Sequence, residues 1–149
     1  MTNPFRSASD GLLTIEPCVV IIFGASGDLT HRKLVPALYN LGVDGLLPAH
    51  FFMVGVARRE FSHDAFREDL KKSVSEFSRR KPLNDSVWKD FADHSYYLAA
   101  PFDQIEGYNR LGQLLDQIDE RAGITCNRVF YLATSPEYFE TIGKNLAAS

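Results

Sequence analysis

The sequence predicts an α/β fold, a parallel sheet with helices on both of its faces. Three stretches indicate buried strands, at residues 18–23, 51–56 and 129–133, because each is apolar at consecutive positions and rich in β-branched or aromatic residues. Such continuous apolarity is typical of strands that helices cover on both sides. A weaker pattern at residues 95–98 indicates a fourth strand. Helical patterns separate the strands, and this alternation predicts right-handed crossovers in a parallel sheet.

Helices are predicted where apolar residues recur every three or four positions. Ser62 is a predicted N-cap, with Phe61 and Phe66 placed for a hydrophobic staple across it. Gly123 ends the third helix, and Ser135–Pro136 opens the fourth. The predicted apolar faces consist of Leu34, Leu38 and Leu41; of Phe66, Leu70, Val74 and Phe77; of Tyr108, Leu111, Leu115 and Ile118; and of Phe139, Ile142 and Leu146.

The composition is that of one soluble globular domain. The 149 residues are 45% hydrophobic and 23% charged, with a net charge of −3, so no overall positive field attracts nucleic acid or an anionic membrane. The longest apolar run, residues 18–23, is too short to span a bilayer. We expect a flexible segment at residues 1–16 and the folded domain at residues 17–149. Residues 1–14 lack the apolar core of a signal peptide, which favours a cytoplasmic location.

The two cysteines, Cys18 and Cys126, lie in or beside apolar strand-like segments. Their spacing matches neither a zinc site nor a disulfide framework. We therefore expect two buried free thiols and no metal site.

The segment between the first strand and the first helix is the most informative one for function. It comprises Gly24, Ala25, Ser26, Gly27, Asp28 and Leu29. Glycines at a strand-to-helix turn expose backbone N–H groups to a phosphate, and the helix N-terminus adds about half a positive charge. Gly24 would permit the tight turn and Gly27 the close approach of a pyrophosphate, as in Rossmann-type dinucleotide-binding domains.

The glycine spacing departs from the most common dinucleotide fingerprint. Ile22 stands where an earlier glycine is usual, and Thr30 stands where glycine or alanine is usual. A plain turn that needs glycine therefore stays open as an alternative. A P-loop is excluded because no Gly-Lys-Ser or Gly-Lys-Thr sequence follows the turn.

The second predicted strand ends in Ala57, Arg58 and Arg59. In this fold an acidic residue at that point binds the ribose of NAD, whereas arginine accommodates the 2′-phosphate of NADP. A guanidinium matches a phosphate with two parallel hydrogen bonds. The sequence therefore predicts NADP as the coenzyme, with ordinary surface arginines as the alternative.

Residues Gly24–Leu34 closely resemble the G-A-S-G-D-L-A-x-R-K-L signature of glucose-6-phosphate dehydrogenases. The similarity continues through residues 36–41, 54–58 and 127–133, in a consistent order along the chain. Two loops depart from the family pattern. Ser135–Pro136 stands where the family usually has two prolines, and Ala100–Pro101 stands where it usually has glycine and aspartate.

The resemblance implies a Rossmann-type NAD(P)-binding domain of an oxidoreductase. That family oxidises glucose 6-phosphate to 6-phosphogluconolactone with NADP, in the first step of the oxidative pentose phosphate pathway, and its full-length form is expected to be a homo-oligomer. Lys33 matches the family lysine that reaches the active site and contacts substrate or coenzyme. Arg58 matches the arginine of the coenzyme 2′-phosphate. Ala133 and Thr134 match the strand end beside the coenzyme.

The family's catalytic histidine lies in an Arg-Ile-Asp-His-Tyr-Leu-Gly-Lys stretch, which the 149 residues lack. The histidines present, at positions 31, 50, 63 and 94, are predicted to be surface residues. Hydride transfer from a sugar hydroxyl needs a base, so we expect the chain to be an inactive coenzyme-binding fragment. A stand-alone module that senses NADP(H) or mediates assembly is the alternative. An ordinary short NAD(P)-dependent reductase is disfavoured because no Tyr-x-x-x-Lys pair follows.

Overall fold

The computed structural model describes residues 16–149, which form a four-stranded parallel sheet flanked by helices. The predicted flexible segment, apart from Glu16, lies outside the described residues. The strands are β1 (Cys18–Phe23), β2 (Phe51–Ala57), β3 (Ser95–Ala99) and β4 (Asn127–Leu132). The helices are α1 (Val35–Val43), α2 (His63–Phe77), α3 (Asp85–Asp93), α4 (Ile105–Ala122) and α5 (Phe139–Ala148), with a π-helical turn at Thr30–Leu34 and a 3-10 turn at Pro136–Tyr138.

The strand order is β3-β2-β1-β4, and every pairing is parallel. After β3 the chain crosses back over the sheet and places β4 on the free side of β1. This order matches the first part of the doubly wound Rossmann sheet, and it creates a switch point between β1 and β4. Ligands of such sheets bind in the crevice at the carboxyl ends of the strands beside the switch point.

Side chains of β1 alternate between two apolar cores. Val19, Ile21 and Phe23 face the core beneath α4 and α5, whereas Ile22 faces the core beneath α1, α2 and α3. Strand β2 is buried at each of its seven positions. The predicted parallel sheet with helices on both faces is therefore confirmed.

Helix α3 was not predicted from the sequence. It is nine residues long, and its buried side chains are those of Trp88 and Phe91. Asn84 caps it by accepting a hydrogen bond from the Val87 N–H at 3.2 Å. Val87, Trp88, Phe91 and Ala92 recur at helical spacing. Asn84 is a typical N-cap residue, so the sequence did carry a signal for this short helix that the prediction missed.

The predicted apolar face of the first helix is correct in part, since Leu34 and Leu38 pack partly buried against the core, but the fully buried face of α1 is rotated from it. Leu41 is 39% exposed, and the buried residues are Val35, Pro36 and Tyr39. The π-helical turn causes this rotation: its closing hydrogen bond runs from the Val35 N–H to the Thr30 carbonyl, five residues back. Pro36, which has no N–H to donate, follows directly.

The start of α5 also differs from the prediction. Ser135 makes no side-chain cap hydrogen bond, and a 3-10 turn precedes the helix. Phe139, predicted to face inward, is 41% exposed because α5 begins at this residue and Ile142 occupies its buried face. The predicted cap at Ser62 is confirmed, since its hydroxyl accepts from the Ala65 N–H at 3.1 Å.

Strand β4 forms one edge of the described sheet. Val129, Phe130 and Tyr131 are 49%, 41% and 41% exposed, although the sequence pattern predicts a strand covered on both faces. Within residues 16–149 its single partner is β1. The apolar pattern is therefore correct for a strand but wrong about its burial in this chain.

The predicted free thiols are present, and Cys126 is buried while Cys18 is half-buried. No group of three or more His, Cys, Asp or Glu side chains within residues 16–149 could hold a metal ion. The helices of this part of the chain are all too short or too polar to cross a membrane.

Candidate nucleotide-binding site

Three of the predicted binding segments meet at the carboxyl ends of β1, β2 and β4. The Gly24 N–H donates to the Val56 carbonyl at 2.9 Å, which fixes the glycine turn beside the end of β2. The Ala133 N–H donates to the Phe23 carbonyl at 2.8 Å, which places the end of β4 on the other side. The structure thus brings Gly24, Ala133 and the strand that ends before Arg58 to one edge of the sheet.

Gly24 is the residue that permits the turn. Its φ of +96° lies in the left-handed region, which favours glycine. A Cβ at this position would also lie 2.4 Å from the Ala133 carbonyl oxygen. Gly27 has no such torsion angle, but a Cβ there would lie 3.2 Å from the Gly24 oxygen. The turn therefore has room for backbone alone at Gly24.

Buried hydrogen bonds hold the turn closed. The Gly24 carbonyl accepts from the Gly27 N–H and from the Thr30 hydroxyl, each at 3.0 Å. Thr30 is 1% exposed, so this residue adds a hydrogen bond where the common fingerprint has only a small side chain. Sequence reasoning noted Thr30 as a departure and missed this role.

The first N–H groups after the turn have no intrahelical partner, so they are suited to an anion. Ser26, Asp28 and Leu29 are exposed at this point. Ala25 differs from them, because its side chain is buried and its N–H donates to the Val56 carbonyl at 3.2 Å. Ala25 therefore shapes the turn, as does Gly27, whose N–H donates to the Gly24 carbonyl, and the amides of Ser26, Asp28 and Leu29 are the candidates for an anion.

Arg58 extends from the end of β2 toward the segment that precedes α5. Its Nη2 donates to the Tyr138 hydroxyl at 3.0 Å, and its guanidinium carbon lies 5.6 Å from the centre of that ring. The Tyr138 ring packs edge-on against Phe102, which is buried. Tyr138 thus holds an exposed guanidinium in place and leaves its other N–H groups for an anion.

Arg59 has different surroundings from its neighbour. Its guanidinium carbon lies 4.3 Å from the centre of the Phe61 ring, and its carbonyl accepts a hydrogen bond from the Tyr97 hydroxyl. Burial raises the pKa of Tyr97, and the charge of Arg59 acts in the opposite direction. Of the two arginines predicted together, Arg59 packs on Phe61 and Arg58 packs on Tyr138, and both are exposed.

A cavity of about 210 Å³ opens beside Arg58. Its polar lining includes the carboxylates of Asp103 and Glu137 and the hydroxyls of Tyr138 and Thr141. Carboxylates accept hydrogen bonds and repel phosphate. The cavity is therefore suited to the hydroxyl or amino groups of a nucleoside, with phosphate kept to the side of the guanidinium.

The remaining predicted residues lie on either side of the turn. Lys33 is exposed on the π-helical turn, a distortion that often occurs at functional sites. Ala133 and Thr134 are half-buried at the end of β4. The Ala133 carbonyl and the Thr134 methyl group lie against Gly24, so these two residues form the wall that makes a side chain impossible there.

The prediction of surface histidines is correct for His50 and His63 and wrong for His31 and His94, which are half-buried. The His94 Nδ1 lies 2.6 Å from the Asp90 carbonyl. The His63 Nδ1 accepts from the Tyr97 N–H at 3.0 Å. Burial lowers the pKa of His63, the charge of Arg67 lowers it further, and the charge of Asp64 opposes both.

A glycine turn at the switch point of a parallel sheet defines a dinucleotide-binding domain of the Rossmann class. Residues 21–149 match the family described as "Glucose-6-phosphate dehydrogenase, NAD binding domain". The chain belongs to this family.

Curated relatives named glucose-6-phosphate 1-dehydrogenase are similar to this chain over most of its length. The glucose-6-phosphate 1-dehydrogenase of Chlamydia muridarum is 45% identical over 130 residues, which cover 87% of this chain and 26% of that protein. The enzyme of that name from Chlamydia pneumoniae is 44% identical over 149 residues, which cover 98% of this chain and 29% of that protein. The chain thus spans less than a third of these relatives.

Solved structures agree with this assignment. A glucose-6-phosphate dehydrogenase in complex with its substrate glucose-6-phosphate is 33% identical, with a TM-score of 0.77 over 88% of this chain and 27% of that one. A glucose-6-phosphate 1-dehydrogenase from Mycobacterium avium, 23% identical, has the same fold, with a TM-score of 0.76 over 89% of this chain and 27% of that one.

Proposed function

We propose that this chain is the coenzyme-binding part of an enzyme that oxidises glucose 6-phosphate to 6-phosphogluconolactone with NADP. The observation that carries the proposal is the meeting of the glycine turn with Arg58 at one edge of the sheet. Family membership supports the reaction, because the matched relatives are named glucose-6-phosphate 1-dehydrogenases. Because the chain spans 26–29% of the length of those relatives, we assign coenzyme binding alone to it. We assign the remaining steps of the reaction to the other parts of such an enzyme.

The residues of the turn fit the pyrophosphate of a dinucleotide. A Cβ at Gly24 would fill the space between the turn and the Ala133 carbonyl, so only glycine leaves the backbone path that exposes the amides beyond it. The N–H groups of Ser26, Asp28 and Leu29 and the helix N-terminus would hold the two phosphates.

Arg58 supports NADP over NAD. It lies two residues beyond Val56, whose carbonyl holds the turn, and in this fold the end of the second strand faces the adenosine ribose. The guanidinium of Arg58 offers a planar pair of donors to a 2′-phosphate. Strand β2 ends in Ala57, so no carboxylate occupies the position that binds a free 2′-hydroxyl in NAD enzymes.

A bound nicotinamide would supply the acceptor for the hydride that leaves the sugar. Lys33 lies on the turn that follows the pyrophosphate site, and its ammonium group would attract the phosphate of the sugar or of the coenzyme. The histidines at positions 31, 63 and 94 are engaged in hydrogen bonds of the fold, and His50 precedes β2, at the opposite end of the parallel strands from the turn. We therefore propose that the chain alone binds coenzyme and does not turn over substrate.

Calorimetric titration of the 149-residue chain with NADP and NAD tests the proposal. We expect tighter binding of NADP, and we expect Arg58→Ala to weaken NADP binding about ten- to hundred-fold with little effect on NAD, since a charged hydrogen bond contributes about 1.5–3 kcal/mol. Arg79→Ala is the control, because Arg79 is exposed beyond the end of α2. Equal losses for the two coenzymes would contradict the assignment of Arg58.

A further inference from the structure

His31 connects the glycine turn to helix α2. Its Nδ1 lies 2.9 Å from the Gly27 carbonyl oxygen, and its Nε2 lies 2.6 Å from Oδ2 of Asp69. The side chain of His31 is 18% exposed and that of Asp69 is 40% exposed. These contacts link positions 38 residues apart in the sequence.

Both partners of this ring are acceptors. A carbonyl oxygen has no proton to donate, and an ionised carboxylate has none either. A neutral imidazole donates from one nitrogen and accepts at the other, so it can satisfy only one of these two contacts. Both contacts form together when both nitrogens carry protons. The geometry therefore corresponds to an imidazolium that bridges a carbonyl and a carboxylate.

The bridge determines the orientation of the peptide group between Gly27 and Asp28. The Gly27 carbonyl also accepts from the His31 N–H at 3.2 Å, so two donors hold it toward the helix. In a planar trans peptide the N–H points opposite to the C=O. The Asp28 N–H is thereby directed away from the helix, toward the crevice at the end of β1, where the pyrophosphate of the proposed coenzyme would lie.

The charged groups around His31 come from two elements. Helix α2 carries Asp69, which contacts the ring, and the exposed Lys72 three residues later, whereas His63 at the start of α2 contacts β3 through the Tyr97 N–H. On the segment of His31 itself, Asp28 and Arg32 pair with each other at 3.8 Å. Carboxylates, lysines and arginines ordinarily keep one charge between pH 6 and about pH 9. An imidazole is the ordinary side chain whose charge changes in that range, and the His31 ring is the side chain that contacts the Gly27 carbonyl.

We propose that His31, as an imidazolium held by Asp69, is a positioning residue that orients the Gly27 peptide and strengthens coenzyme binding at acidic to neutral pH. This inference rests on the proposed coenzyme site. Loss of the extra proton leaves a nitrogen lone pair facing an acceptor oxygen. Because the carboxylate of Asp69 is the stronger acceptor, the remaining proton stays on Nε2 and the contact of Nδ1 with the Gly27 carbonyl opens. The Gly27 peptide is then held by the His31 N–H alone, and the amide that faces the pyrophosphate is less firmly oriented.

The test is a titration of NADP at pH values from 6 to 9 with the unaltered chain and with His31→Gln. Because a 2′-phosphate monoester itself titrates near pH 6, the readout is the ratio of the two dissociation constants at each pH. At pH 6 we expect His31→Gln to bind NADP about ten-fold more weakly than the unaltered chain, which corresponds to the loss of one charged hydrogen bond. At pH 9 we expect the ratio of the two dissociation constants to fall toward one.

Two further variants sharpen the result. An amide at position 69 can accept from or donate to Nε2, so Asp69→Asn should keep the bridge in either protonation state and flatten the pH dependence. His50→Gln is the control, because His50 is exposed in the loop before β2. A ratio for His31→Gln that does not change with pH would overturn the inference.

A direct measurement on the unaltered chain separates this inference from the proposed function. Nitrogen-15 NMR of the histidine rings without coenzyme distinguishes protonated from unprotonated ring nitrogens and stands even if a variant fails to fold. We expect both nitrogens of His31 to be protonated at pH 6, and an unprotonated nitrogen there would overturn the bridge. Failure of NADP to bind at any pH would instead overturn the proposed function, and with it the role of the bridge in binding.

Discussion

The glycine turn and the arginine segment lie side by side at the edge of the sheet, yet different kinds of contact hold them. The turn is fixed by backbone hydrogen bonds from Gly24 to Val56 and from Ala133 to Phe23, and by the buried Thr30 hydroxyl. The arginine segment is exposed and is held by side chains that come from distant parts of the chain. The difference separates two tasks, because a pyrophosphate is common to all dinucleotides and a 2′-phosphate distinguishes one of them.

Backbone contacts leave little room for variation, whereas side-chain contacts can change one residue at a time. A substitution in the turn should therefore damage folding and all nucleotide binding together. A substitution in the arginine segment should change the choice between coenzymes and leave the fold intact.

The largest expected effect comes from Gly24→Ala. The new methyl carbon would lie 2.4 Å from the Ala133 carbonyl oxygen, and the alanine would have to keep the left-handed φ of +96°. We expect the free energy of unfolding to fall by about 3 kcal/mol or more, with binding of NADP and NAD lost together. Urea unfolding followed by circular dichroism measures the first effect, and calorimetry measures the second.

Gly112→Ala is the matched control for that substitution. Gly112 lies within α4, and a Cβ there would meet nothing within 4 Å. Alanine at a helix interior stabilises by about 0.5–1 kcal/mol relative to glycine. If Gly24→Ala were as well tolerated as Gly112→Ala, the turn would not be held as tightly as its contacts indicate.

A smaller and more selective effect is expected for Tyr138→Phe. This change keeps the ring that packs on Phe102 and removes the hydroxyl that accepts from Arg58 at 3.0 Å. We expect NADP to bind about five-fold more weakly, the size of one ordinary hydrogen bond, with NAD binding and the unfolding midpoint unchanged. An equal change for both coenzymes would show that Tyr138 does not act through Arg58.

The smallest effect is a pH dependence of stability at His63. Burial lowers the pKa of His63 below its ordinary value of 6.5, and Nδ1 must stay unprotonated to accept from the Tyr97 N–H. The unfolded chain therefore binds the proton at a higher pH than the folded chain does. It follows that the free energy of unfolding decreases as pH falls below about 6.5.

Urea unfolding at pH 7 and pH 5 checks this sign. His63→Gln, which retains an acceptor but does not titrate, should lose less stability over that interval than the unaltered chain. The other titratable groups are common to the two proteins, so the difference between them isolates the contribution of His63. A larger loss in the variant would contradict the assignment.

Local patterns in the sequence were enough to predict the sheet, most helices and the glycine turn. They were insufficient for features that depend on distant partners. Tyr138 reaches Arg58 across 80 positions, and Asp69 reaches His31 across 38. No spacing rule connects such residues. The exposed Phe139 is a different case, because Ile142 and Leu146 of the same predicted face do pack against the core and Phe139, at the first residue of α5, does not.

Strand β4 shows a second limit of apolar patterns, which predict a strand but not its burial. Val129, Phe130 and Tyr131 have the composition of a covered strand and are 41–49% exposed within residues 16–149. The apolar composition of a strand indicates that its faces are suited to pack against apolar neighbours. It does not indicate whether those neighbours lie within residues 16–149.

The central claim is that the amides after Gly24 and the guanidinium of Arg58 bind one NADP molecule together. Backbone amide chemical shifts recorded while NADP is added to the chain test it most directly. We expect the signals of Ser26, Asp28, Leu29 and Arg58 to shift along a single binding curve, and NAD to shift the first three far more than the fourth. Shifts confined to the opposite edge of the sheet, or different binding curves for the turn and Arg58, would contradict the claim.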